Sequence, residues 1–293
     1  MTTHWSPGLR QERSGLGPGS GPDHAGRFEL AFQRHGERTC VGRQFVSYPF
    51  HMTRPFALDA AIPALLTVYQ QSSSGGLYRG EQLSSHYDVG ARGAAHVTTQ
   101  AATVVHDCQG QPALHATFIE LREGAFLALT PDPLVLFPGA SCSNTLEARL
   151  ANGAVLLVAD SFACYDPLER SRPFERLSAD VVIRDAACRL LVRDCFEISG
   201  DALFETASPM GRWRVASSFL IVGEQSRLPK RADLETVEKI QGTVVGVTAL
   251  ANAAGWGVRC LAANAAVARE IGEALFSACV QAAFGHLPTP RRK

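Results

Sequence analysis

Three stretches decide how this chain folds: Arg92-Gly93-Ala94-Ala95-His96-Val97-Thr98-Thr99-Gln100-Ala101-Ala102-Thr103, Glu123-Gly124-Ala125-Phe126-Leu127-Ala128-Leu129, and Asn152-Gly153-Ala154-Val155-Leu156-Leu157-Val158. In each, a glycine turn releases a run of apolar and β-branched residues, the composition of a strand. Glycine supplies the positive φ expected of such turns, and alanine restarts the strand. The glycines recur after 31 residues (Gly93 to Gly124) and 29 residues (Gly124 to Gly153). That recurrence points to a layered, solenoid-like β arrangement.

Working outward, strand-like runs fill Leu83 to Val89, Ala94 to His106, Leu114 to Leu121, Ala125 to Leu129, Leu134 to Phe137, Thr145 to Leu150 and Val155 to Phe162. Upstream, Phe28, Leu30 and Phe32 alternate with polar or small residues, as on a half-buried strand. Arg38 to Tyr48 and Leu65 to Tyr69 read as further strands. Downstream the pattern continues at Asp180 to Ile183, Arg189 to Phe196, Arg212 to Val222, Thr243 to Leu250 and Gly257 to Leu261. Two helices are expected. One is Leu234 to Gln241. The other is Asn264 to Phe284, where Val267, Ile271, Leu275, Cys279 and Val280 recur at three- and four-residue spacing, with Gly285 as C-cap and Pro288 as stop. The expected fold is mainly β, with layered or helically stacked antiparallel or mixed sheets and a C-terminal α-helix. Residues 1–26, rich in Gly, Pro, Ser and Arg, read as a disordered arm; residues 27–293 read as one β-rich domain.

Composition narrows the function. Of 293 residues, 46% are hydrophobic and 19% charged, enough apolar material for a sizeable core. The net charge is +0, so no basic excess argues for nucleic acid or a lipid surface. No apolar run approaches the ~20 residues of a membrane helix, and the N-terminus lacks a signal-type apolar region. The eight cysteines form no C-x-x-C pair and read as reduced thiols. A soluble cytoplasmic protein is expected.

Catalytic signatures are scarce. There is no G-x-S-x-G elbow, Walker loop, dinucleotide fingerprint or H-E-x-x-H. Gly75-Gly76-Leu77-Tyr78-Arg79-Gly80 imitates a phosphate loop but lacks the lysine that should follow. His86, His96, His106 and His115 fall within thirty residues, with Cys108 beside His106. Histidine and cysteine suit a borderline metal such as nickel. Yet a straight strand would hold His96 and His106 roughly 33 Å apart, so four separately hydrogen-bonded histidines are the simpler expectation. His106 and Cys108 are the weak metal candidates. Glu81 and Asp132 are further candidates, although an Asp within Thr130-Pro131-Asp132-Pro133 is commonly a turn residue.

Three motifs bear a resemblance. Gly75-Gly76-Leu77-Tyr78-Arg79-Gly80-Glu81 resembles a G-G-x-x-x-G-D element. Val97-Thr98-Thr99-Gln100-Ala101-Ala102-Thr103 resembles V-T-T-Q-A-A-T. Gly124-Ala125-Phe126-Leu127-Ala128-Leu129-Thr130-Pro131-Asp132-Pro133 resembles G-A-x-L-x-x-L-P-D-P. Together with Gly257-Val258-Arg259 and Leu287-Pro288-Thr289-Pro290-Arg291, these colinear matches resemble the UreD (UreH) family over roughly Arg27 to Arg291.

The resemblance implies a helically stacked β fold and a urease accessory protein that is not itself an enzyme. It implies binding to apo-urease and to a UreF-type partner that recruits a UreG-type GTPase. It also implies nickel in transit through a polar channel, with no tightly bound cofactor. Glu81, Thr98, Thr99, Gln100 and Asp132 are chemically suited to line such a path; the threonines are equally ordinary strand residues. The C-terminal region is implied in partner binding, which makes Ile271 and Leu275 candidates, with internal core as the competing role. Two other classes stay open: a β-scaffold small-molecule hydrolase, and an interaction scaffold with no metal role. The chain departs from the family at Tyr165 to Glu175, where a G-R-x-x-x-G-E element is expected; neither glycine is present, and Glu169 or Glu175 is left to supply the acid.

Overall fold

The computed structural model describes residues 25–204 and 208–290. The expected N-terminal arm lies outside the described residues except for Ala25 and Gly26, which already belong to the first strand. In chain order the strands are β1 (Ala25–His35), β2 (Arg38–Val46), β3 (Phe50–Met52), β4 (Leu65–Ser72), β5 (Gln82–Val89), β6 (Ala94–Thr99), β7 (Thr103–Val105), β8 (Ala113–Leu121), β9 (Phe126–Thr130), β10 (Leu134–Leu136), β11 (Ser141–Leu150), β12 (Val155–Cys164), β13 (Arg176–Asp185) and β14 (Leu190–Ser199). A short helix α1 (Gly200–Phe204) follows. Then come β15 (Val215–Gly223), α2 (Arg231–Leu234), β16 (Thr243–Ala249), β17 (Gly255–Ala262) and α3 (Ala265–Phe284).

The strands form two sheets. Sheet A runs β14-β13-β11-β8-β5-β1-β2, and sheet B runs β16-β17-β15-β12-β9-β6-β4-β3, with β10 beside β12 and β7 beside β10. From β4 to β13 the chain alternates between the sheets and winds as a solenoid. Its ladders β5·β8, β8·β11, β6·β9 and β9·β12 are parallel, and antiparallel pairs close the edges. The centre is therefore parallel rather than antiparallel, because each coil returns to its starting sheet in the same direction.

The turns between coils stack. Arg92 N–H donates to the Glu123 carbonyl at 2.8 Å, and Gly124 N–H to the Asn152 carbonyl at 2.9 Å. Ala94, Phe126 and Val155 are register partners, so Gly124 and Gly153 stand level while Gly93 is offset from them by one residue. Gly124 and Gly153 hold the positive φ as expected. In the first turn it is Arg92, at φ 56°, that holds it, not Gly93. The Arg227 guanidinium donates to the carbonyls of both Gly124 and Gly153, stapling two coils together.

The central strands of sheet B are buried on both faces, which explains their continuous apolar runs. Leu127, Leu156 and Val158 point towards sheet A, whereas Phe126, Ala128, Val155 and Leu157 point towards α3. That helix is capped as its sequence indicates: the Asn264 side chain accepts from Val267 N–H at 3.0 Å, and Gly285 adopts φ 77°. The expected helix at Leu234 to Gln241 is only α2 and a single 3-10 turn, Val237–Lys239, too short to bury a continuous apolar stripe. No helix among the described residues is long and apolar enough to cross a membrane.

Candidate functional site

The strand expected from Ala94 to His106 is broken. β6 stops at Thr99 and β7 starts at Thr103, and the chain loops out at residues 100–102. One coil on, β9 stops at Thr130 and β10 starts at Leu134, across Pro131-Asp132-Pro133. Prolines lack the N–H a ladder needs, so pairing lapses there. The third coil, β12, runs through unbroken. Two aligned breaks beside one continuous strand leave an opening in sheet B.

Behind the opening lies a cavity of about 540 Å³ between the sheets. It separates the apolar core at the stacked-turn end from a second apolar core around Val105, Leu136, Phe162 and Leu177. Its walls are mixed. Leu83, Leu129, Val158 and Leu220 contribute apolar surface; His115, Asn144, Asp160 and Asp194 contribute polar groups. The solvent side carries the exposed residues Ser72, Ser73, Gln100 and Ala101.

Thr99, Gln100 and Asp132 meet at this opening. Thr99 Oγ1 accepts from Asp132 N–H at 2.8 Å, and the Gln71 amide donates to Gln100 Oε1. Thr98 faces the opposite side of sheet B. Its hydroxyl donates to the Thr130 carbonyl at 2.7 Å, and it borders a small crevice of about 40 Å³ beneath α3, shared with Arg269 and Glu273. Asp132 borders both spaces. Glu81 borders neither; its carboxylate accepts Tyr78 N–H at 3.1 Å and closes the Gly75–Gly80 loop. Glu169 and Glu175 lie on an exposed loop away from the cavity.

The four histidines are dispersed. His86 packs on Phe118 with ring centroids 4.6 Å apart. His96 stacks on Phe276 at 4.0 Å and bonds Thr130 Oγ1 at 2.8 Å. His115 bonds Ser85 Oγ at 2.9 Å inside the cavity. His106 stacks on Tyr78 at 4.5 Å and bonds the Gly75 carbonyl at 3.1 Å, whereas the Cys108 thiol turns inward to the carbonyls of His106 and Ser141. Among the described residues no group of three or more His, Cys, Asp or Glu side chains could hold a metal ion. Ile271 and Leu275 are fully buried against sheet B, in the core rather than on a surface.

The cavity's electrostatics rest on residues the sequence reading missed. Burial pushes the Asp160 carboxyl up to about 6, reinforced by Asp194 and opposed by Arg259. Arg259 is committed elsewhere: its guanidinium reaches both Asp194 oxygens at 2.6 Å. Burial also drives His115 down to about 4, so it is neutral at physiological pH. Tyr87 donates to Gln70, and Gln70 to Ser85 at 3.3 Å, extending a polar line along the wall. A signal for Asp160 existed. It shares the parity of Leu156, Val158 and Phe162, a carboxylate on an otherwise apolar strand face.

The family model described as UreD urease accessory protein matches residues 24–293. A protein named urease accessory protein UreD 1 from Bradyrhizobium sp. strain BTAi1 is 41% identical over 265 residues, covering 90% of this chain and 93% of that protein. One of the same name from Methylorubrum extorquens strain PA1 is 40% identical, covering 90% of each. Another from Pseudomonas syringae pv. syringae is 32% identical, covering 86% of this chain and 90% of that protein.

Proposed function

This chain belongs to the UreD urease accessory protein family and is a urease maturation factor rather than a catalyst; on that premise we propose that it binds apo-urease and gives nickel a polar passage towards the urease site. A UreF-type protein is the direct accessory partner in this reading, and a UreG-type GTPase joins through it, in the cytoplasm. The observation that carries the proposal is the cavity with its opening at Thr99, Gln100 and Asp132 and the Asp160 carboxylate within.

A conduit must replace part of a cation's hydration shell yet release the ion. Carboxylate, amide and hydroxyl oxygens do this weakly, without the soft thiolate and imidazole sets that trap transition metals. With Arg259 paired to Asp194, Asp160 is mostly ionised at neutral pH and supplies negative charge inside the cavity. Asp132 supplies a second carboxylate where the cavity meets the crevice under α3.

The test is complementation. Cells lacking their own copy of this gene should recover urease activity with the wild-type chain. The Asp132→Asn and Asp160→Asn variants should still co-purify with urease and a UreF-type partner, yet restore at most about a tenth of the nickel-loaded enzyme. Full activation by both variants would remove the passage and leave an interaction scaffold. No activation by the wild-type chain would remove the maturation assignment.

A further inference from the structure

Sheets that end in open strands invite pairing, and proteins usually blunt such edges with charge or proline. Of the four strands that end the main paths of the two sheets among the described residues, three follow that rule. β2 carries Arg38 and Arg43; β14 carries Arg193, Asp194 and Glu197; β3 is three residues long and follows Pro49. The fourth, β16, does not. It reads Thr243-Val244-Val245-Gly246-Val247-Thr248-Ala249, with no charge and no proline, and pairs only with β17. It also overhangs. The last strand of sheet A reaches sheet B at β17, through Asp194 and Arg259, so the outer strand projects past it with Val244 at 55% exposure.

The strand is close to symmetric about Gly246. Laid antiparallel on a second copy with Gly246 at the two-fold axis, it sets Val245 opposite Val247, Val244 opposite Thr248 and Thr243 opposite Ala249. The two inner pairs set β-branched residues against β-branched residues, the outer pair sets threonine against alanine, and no like charges meet. A Cβ added at Gly246 would meet nothing within 4 Å, so no neighbouring atom crowds its side-chain position. The formal net charge of +0 gives two copies no long-range repulsion. We propose that β16 is a homodimerisation edge, through which two copies of this chain join antiparallel into one continuous sheet. One seven-residue ladder buries less than a standard interface, so the association is weak.

Sedimentation velocity of the full chain across a dilution series tests this. The wild type should move between monomer and dimer. Gly246→Lys sets two ammonium groups face to face at the axis and should weaken the dimer at least tenfold, with an unchanged circular dichroism spectrum because the site has room. Gly246→Cys should form a covalent dimer under mild oxidation faster than the wild type, whose exposed Cys40, Cys188 and Cys195 set the background; this variant decides the matter if Gly246→Lys misfolds. The proposal is overturned by a wild type that stays monomeric throughout, or by a dimer that ignores Gly246→Lys while Gly246→Cys cross-links no faster than background. Loss of a UreF-type partner by Gly246→Lys, with the chain alone monomeric, would reassign the edge to a heterologous strand.

Discussion

Asp160 holds its proton more tightly in the folded chain, where its pKa is about 6, than in the unfolded chain, where it is near 4. Between about pH 4 and pH 6 the folded state therefore binds more protons, and stability falls as pH rises through that window. Asp160→Asn should remove this slope and raise stability above pH 7 by up to about 3 kcal/mol; equal unfolding free energies for the two proteins at pH 7.5 would refute it. The loop at Tyr165 to Glu175 gives a second case. Glu169 and Ser171 take φ 52° and 53°, the left-handed region, in a segment that contains no glycine. Asp166 compensates by accepting N–H bonds from Leu168, Arg170 and Arg172 and pairing with the Arg172 guanidinium, which holds its carboxyl well below the usual range. Ser171→Gly relieves the strain at some cost in unfolded-chain entropy and should stabilise by about 0.5–1 kcal/mol, read from urea denaturation midpoints; no gain would mean that the loop is unstrained.

For α3 the choice lay between core and interface. Ile271, Leu275 and Cys279 have no exposed surface and pack with Phe219 and Val258 of sheet B. Ile271→Ala should cost about 3 kcal/mol through lost burial and the cavity left behind. Ile271→Asp should abolish folding, since the carboxylate has no buried partner. A well-folded Ile271→Asp chain that merely lost its partner would contradict this placement.

Across the whole molecule, the cavity is built from oxygen donors on several strands rather than from a compact set of ligands. The isolated chain should bind nickel weakly, with no sub-micromolar site in equilibrium dialysis. A single tight site would point back to the neighbourhood of His106 and Cys108, although their side chains have separate partners.

Alternation and turn chemistry, both local, determined much of this protein from the sequence alone: the strands from Gln82 to Cys164, the coil-length recurrence of their turns, and the capped helix from Ala265 to Phe284. The V-T-T-Q-A-A-T and P-D-P segments stood out through the family resemblance, but the break that residues 100–102 make in the strand expected from Ala94 to His106 was not read from the sequence. Only the tertiary structure decided that the two aligned strand breaks open onto one cavity, that Thr98 turns to the other face, and that Glu81 stays at its loop. It also brought Asp160, Asp194 and Arg259 together from β12, β14 and β17, far apart in sequence. The reason is physical: periodicity along one strand fixes which face a residue takes, but the neighbours on that face are set by strand order and register between coils, which no local pattern encodes.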